Sequence, residues 1–320
     1  MSNLNCIEIC AGAGGQALGL EWAGFEPEAL IEIDKSCCET LRYNRPQWNV
    51  IEGDVKHFDA ANYKGIDLLT GGVPCPPFSK AGKQLGKDDE RDLFPEALRI
   101  IDECRPRAVM LENVRGFLDA VFEDYRCKLK HKLEKMGYDT DWRLLNACDY
   151  GVSQLRPRVL IVAIRNDLSN NFVWPISHEH NPKTVGELLY EQMVSKNWRG
   201  AIQWAKQADD IAPTIVGGSK KHGGPDLGPT RAKRAWASLG VDGMGIANEP
   251  PEKDFVGMPR LTVPMVARLQ GFPDEWQFAG KKTPAYRQVG NAFPPPVSYA
   301  VASEIHNCLS HRKILAVAAG

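Results

Sequence analysis

Over the first 165 residues, short apolar runs rich in β-prone side chains alternate with longer stretches whose apolar positions recur at helical spacing. The runs fall at residues 6–10, 28–33, 67–70, 108–111, 141–145 and 159–164. Alternation of this kind predicts βαβ units, and so an α/β domain built on a doubly wound, mostly parallel sheet with helices on both faces. After about residue 175 the pattern breaks. Trp, Pro and Gly become frequent and a glycine-rich loop occupies 216–225, which predicts a smaller, irregular second domain. Helical periodicity returns at 264–270 and 297–309, the latter behind Pro294-Pro295-Pro296, since proline is tolerated before and within a first helical turn. The expected organisation is a larger domain at 1–174, a smaller one at 175–258, and a helical segment at 259–320.

Composition narrows this picture. The chain has 320 residues, 43% hydrophobic and 25% charged, as expected of a globular protein with a sizeable core. It shows no apolar run long enough to span a bilayer and no secretory leader, so a cytoplasmic address without membrane association is expected. Nine cysteines, an odd number with no C-x-x-C pair, speak for reduced thiols over disulfides or a zinc ribbon. His178-Glu-His180 lacks a third ligand nearby, and no metal is expected. The net charge of -1 removes any global basic field, so nucleic-acid contacts must be local. The main basic cluster is Lys220, Lys221, Arg231, Lys233 and Arg234. A second basic run, 126–135, reads as a solvated helix face.

The chemistry gathers at predicted strand ends. The first strand runs into Ala11-Gly-Ala-Gly-Gly15, a turn that lets backbone approach a ligand, although its spacing departs from the dinucleotide fingerprint. Glu32, at the end of the second strand, sits where an acid could bind ribose hydroxyls, with Asp54 comparable, although each taken singly reads as an ordinary loop acid. The segment Gly71-Gly-Val-Pro-Cys-Pro-Pro-Phe-Ser79 sets Cys75 on a proline-stiffened loop beyond a strand, where open α/β sheets bind their ligands. The strand ending in Glu112-Asn113-Val114 brings a carboxylate to the same edge, so that Cys75 and Glu112 make a plausible catalytic pair.

Six segments, Glu8-Ile-Cys-Ala-Gly-Ala-Gly-Gly15, Pro74-Cys75, Glu112-Asn-Val114, Gln154-Leu-Arg-Pro-Arg158, Arg260-Leu-Thr262 with Gln270-Gly-Phe-Pro273, and Gln288-Val-Gly-Asn291, together resemble in order the motif set of the cytosine-C5 DNA methyltransferases. The resemblance covers residues 4–165 and 258–309. It implies a Rossmann-like methyltransferase fold using S-adenosyl-L-methionine, held by Cys10, Ala11, Gly12, Gly14, Gly15, Glu32, Asp54 and Asn291. Cys75 would add as a thiolate to carbon 6 of a flipped cytosine, making carbon 5 nucleophilic, with positive charge from Arg156 or Arg158 favouring the thiolate. Glu112 would contact N3 and the amino group, Arg158 would hold O2, and Val73, Pro74 and Asn113 would line the base pocket. The polar stretch 79–92 resembles the family's mobile loop, which gives Ser79 and Gln84 a DNA-facing role. The chain departs from the family at Cys10, where a phenylalanine is usual, and at Glu8, where an aspartate is common.

The tRNA-methylating branch shares the motif set, but its Cys-Phe-Thr tripeptide is missing and the long segment at 175–258 suits a DNA target. A catalytically dead regulator would be expected to lose Cys75 or Glu112, and an NAD-dependent oxidoreductase leaves Cys75 unexplained. The expected partners are double-stranded DNA as substrate and, functionally, a restriction endonuclease, with the protein a monomer.

Overall fold

The computed structural model describes residues 4–74, 92–177, 182–218 and 224–318, with side chains to residue 310. Seven strands form one sheet in the order β3-β2-β1-β4-β5-β7-β6. They are β1 (Leu4–Ile9), β2 (Phe25–Glu32), β3 (Val50–Glu52), β4 (Leu68–Gly72), β5 (Ala108–Val114), β6 (Tyr138–Asn146) and β7 (Pro157–Arg165). The pairs among β1 to β5 are parallel, whereas β7 runs antiparallel between β5 and β6. Mostly parallel is therefore correct, and the reversal of β7 has a consequence for the site. Its first residues lie at the edge where the parallel strands end, with Arg158 opposite Val114.

Both faces of the sheet are covered, so its central strands are apolar on both sides. On one face, α3 (Phe94–Cys104) and α4 (Glu123–Lys135) pack over Ile7, Ile9, Leu69, Val109 and Ile161. On the other lie α1 (Gly15–Trp22) and α10 (Pro295–Ala318), over Cys6, Leu68, Met110 and Leu160. Helix α4 buries Leu129 and Leu133 and exposes most of its lysines, in keeping with a solvated face. Helix α2 (Lys35–Asn44) starts where Asp34 accepts the amide of Ser36, an ordinary N-cap.

Residues 175–258 contain more order than composition predicts. Helices α5 (Val185–Val194), α6 (Ala201–Gln207) and α7 (Thr230–Ser238) share one apolar core with α1, α2, α8 (Val263–Leu269) and α9 (Lys282–Asn291). The segment thus shares its core with the rest of the chain, Trp198, Trp204 and Trp236 belonging to the same apolar cluster as Leu41, Met265 and Trp276. Among the described residues no helix is long and apolar enough to cross a membrane.

Candidate active site and cofactor cavity

A cavity of about 610 Å³ opens at the carboxyl ends of β1, β2 and β4. Its floor is the glycine turn, which the sequence folds through left-handed backbone at Cys10 (φ 54°), Gly12 (φ 55°) and Gly14 (φ 87°). The three glycines do different things. A Cβ on Gly12 would meet nothing within 4 Å, so this residue alone faces open cavity space. A Cβ on Gly14 would come within 2.9 Å of the Trp276 ring, and one on Gly15 within 2.2 Å of the Phe293 carbonyl oxygen. These two are glycine because α2, α8 and α9 and their connections press on them. Gly15 still lines the cavity, whereas Gly14 is not among its lining residues.

At one end the cavity is acidic. The Glu32 carboxylate accepts the amides of Gly12 and Asp34, each at 2.7 Å, and so ties the glycine turn to the start of α2. Burial pushes its pKa up, while these amides oppose the rise. Asp34 and Asp54 complete that end, with Ile33, 68% exposed, projecting beside them. Cys10 lines the wall as a neutral thiol, its pKa pushed up to about 12 by burial and then by the Glu32 charge. Asn291, Arg287 and Gln288 of α9 close the opposite side.

The other end holds Gly72, Pro74 and Glu112. Glu112 is held by Arg158, Nε to Oε1 at 2.7 Å, both side chains only 15% exposed. Gly72 is in register with Glu112 and leaves space beside its Oε2. Of the three residues expected to line a base pocket only Pro74 reaches the wall. Val73 and Asn113 are buried, since alternation along a strand turns the neighbours of a cavity-facing residue away from the cavity.

Arg156 also departs from expectation. It is 1% exposed, and its guanidinium donates to the carbonyls of Ile215 (2.6 Å), Gly290 (3.0 Å) and Ala292 (2.9 Å). Burial, and next the charge of Arg158, hold its pKa well below the usual arginine range. It clamps two segments, at Ile215 and at the end of α9, beside the start of β7 and is not among the residues lining the cavity. In the basic cluster, Lys233 is paired with Asp226 at 2.8 Å, whereas Arg231 and Arg234 stand exposed on α7. Cys75, Ser79, Gln84, His178, His180, Lys220 and Lys221 lie outside the described residues.

A glycine-floored cavity with an acid at the end of β2, beside a carboxylate–arginine pair at the ends of β5 and β7, restricts the families worth comparing. The C-5 cytosine-specific DNA methylase family matches residues 4–307. The chain belongs to that family. It is 60% identical over 306 residues to the Type II methyltransferase M.NgoMIV of Neisseria gonorrhoeae, a match covering 95% of this chain and 97% of that one. Identity to the Type II methyltransferase M.NaeI of Lentzea aerocolonigenes is 56% over 317 residues, covering 97% and 76%. A crystal structure of a Spodoptera frugiperda DNMT2 mutant superposes with a TM-score of 0.65 at 19% identity, over 94% of this chain and 99% of that one, a likeness of fold. The protein is thus a DNA (cytosine-5-)-methyltransferase with a Rossmann-like fold and S-adenosylmethionine as cofactor.

The cavity of this methylase fits that cofactor. Open space at Gly12 admits close backbone approach, Glu32 and Asp54 offer acceptors to hydroxyls, and the buried Glu8 presents an orphaned oxygen, Oε2, suited to a cationic ligand. Sequence reasoning missed Ile33, Lys56, Arg287, Gln288 and Gly218 on its walls. For Ile33 a signal existed: an apolar residue between two acids at a strand end has no core to enter.

Proposed function

We propose that the protein methylates carbon 5 of a cytosine flipped out of a specific double-stranded DNA sequence, through a covalent adduct with Cys75. Supporting this reading above all is the placement of Pro74, the residue before Cys75, on the same cavity wall as Glu112 with its Arg158 partner. Bound S-adenosylmethionine supplies an electrophilic methyl group. The Cys75 thiolate forms a bond to carbon 6, which shifts ring electrons to carbon 5, the atom that takes the methyl. Glu112 holds a proton at N3 as charge builds there, and Arg158 orients the Glu112 carboxyl through its Nε and, in this reading, holds O2 with a further N–H. Loss of the carbon 5 proton to water then allows the carbon 6 bond to break, restoring the aromatic ring and the thiolate. Cys75, Glu112 and Arg158 make up the catalytic set, with Arg156 positioning the segments around it.

Residues 175–258 are assigned to target recognition, with Arg231 and Arg234 toward DNA. The strong likeness to two Type II methyltransferases supports a protective role beside a restriction endonuclease in the cytoplasm. A duplex carrying 5-fluorocytosine at the target should trap a covalent complex with the wild type, because no proton can leave carbon 5. Cys75→Ala should trap none while still binding DNA; trapping by that variant would overturn the assignment.

A further inference from the structure

Glu8 stands near the end of β1, 1% exposed, on the wall of the cofactor cavity, and its Oε2 has no hydrogen-bond partner among the described residues. An unpartnered buried carboxylate is costly, and such a group gives up its charge instead. Its surroundings offer no relief. From β2 comes the carboxylate of Glu32; from β1 itself come the thiols of Cys6 and Cys10. On β4 Thr70 lies in register with Glu8, but its hydroxyl is occupied by Gln16 of α1 and by the Met110 carbonyl. Beyond Gly72, Glu112 of β5 has Arg158 for itself. Burial, and then the Glu32 charge, push Glu8 well above the ordinary carboxylate range, which favours its neutral form in the free protein.

Along the cavity Glu8 falls between the acidic end, at Glu32, Asp34 and Asp54, and the reacting end, at Pro74 and Glu112. A methyl donor that reaches the second end from the first must lay its charged sulfur along this wall. The donor and its demethylated product share an ammonium, a carboxylate, a ribose and an adenine; they differ by the methyl group and one positive charge. We infer that Glu8 is a specificity-determining residue that senses this charge, releasing its proton when the sulfonium donor enters and taking one back once a neutral thioether remains. The proton passes to bulk solvent on donor binding and returns from it after transfer, so the site prefers the donor and lets the product go. An opposite charge within a few ångströms favours the ionised form of a carboxyl, and proton release makes donor affinity rise with pH.

The test is calorimetry on the full chain without DNA, titrating S-adenosylmethionine and S-adenosylhomocysteine separately in two buffers of different ionisation enthalpy. The expected result is release of up to one proton with the donor and none with the product. Donor affinity should climb by up to tenfold per pH unit while product affinity stays flat. Glu8→Gln, close to isosteric, should abolish the release and lower the donor-to-product affinity ratio about tenfold, the equivalent of one pK unit. Glu8→Asp keeps a carboxyl and should keep the release, which decides the matter if the Gln variant does not fold. Equal proton counts for the two ligands, or an unchanged affinity ratio in Glu8→Gln, would overturn the inference. So would a release lost in Glu32→Gln and retained in Glu8→Gln.

Discussion

Two arginines only two residues apart should fail in opposite ways when removed. Arg156 makes three hydrogen bonds, to Ile215, Gly290 and Ala292, from a fully buried position. Replacing it by Leu deprives the carbonyls of Ile215 and Gly290 of this donor, each worth about 1–3 kcal/mol as a buried unsatisfied group, and leaves Ala292 with only its longer bond from Gln270. Relief of the buried charge offsets part of that total. Breaking a buried charged network from one side costs about 3–5 kcal/mol in net terms, and we expect this for Arg156→Leu. At roughly 2–4 °C per kcal/mol the melting temperature falls by about 6–20 °C. Arg158 has a single carboxylate partner, itself on the cavity wall, so Arg158→Ala leaves one largely buried group unpaired and should cost less, about 1–3 kcal/mol of stability. It should nevertheless lose methyl transfer by about 10²-fold or more, the scale of a missing electrostatic contact at a reacting centre. Thermal melts with single-turnover methyl transfer at a temperature where both variants are folded separate the two. An Arg156→Leu protein with wild-type melting temperature and no transfer would refute the assignment of Arg156 to packing.

Gly12→Ala should lower affinity for S-adenosylmethionine at least tenfold with a stability cost of only about 1–2 kcal/mol from its left-handed backbone, whereas Gly15→Ala, with its Cβ driven into the Phe293 carbonyl, should chiefly destabilise the fold; ligand titration and melting curves measure both. If α7 meets DNA, Arg231→Ala or Arg234→Ala should either cut the salt dependence of binding by about one phosphate contact or, for a base reader, cost about 1–3 kcal/mol on the cognate site alone. Binding to cognate and single-mismatch duplexes at several salt concentrations distinguishes these, and no change in either quantity would move recognition elsewhere.

The sheet was legible because its strands are buried on both faces and read as short apolar runs, and because glycine turns and acids punctuate their ends. The antiparallel run of β7 was not, since a strand carries no mark of its direction, and with it went the reason Arg158 meets Glu112. Period two was available, and it separates Glu112 from Asn113 and Gly72 from Val73; treating each motif as a block obscured it. Helix α5 also had a signal, the capping box of Thr184 with Glu187, overlooked amid the Pro-, Gly- and Trp-rich surroundings. Arg156 could not have been told from Arg158 by sequence, because the carbonyls it holds lie 59 to 136 residues further along the chain.

The Trp276 indole donates to the Ala13 carbonyl across 263 residues, and the same ring abuts Gly14. Phe272 and Phe293 press on Gly15 from equally far along the chain. During synthesis the glycine turn therefore emerges long before anything that can hold it in shape, and the cofactor cradle stays unfinished until the residues around 293 leave the ribosome. Closing so long a loop is slow, because its entropy is spent before the distant contacts repay it. A nascent chain halted between residues 175 and 258 would carry every strand of the sheet and still lack a finished cradle for its methyl donor, so that methylating capacity arises late and all at once.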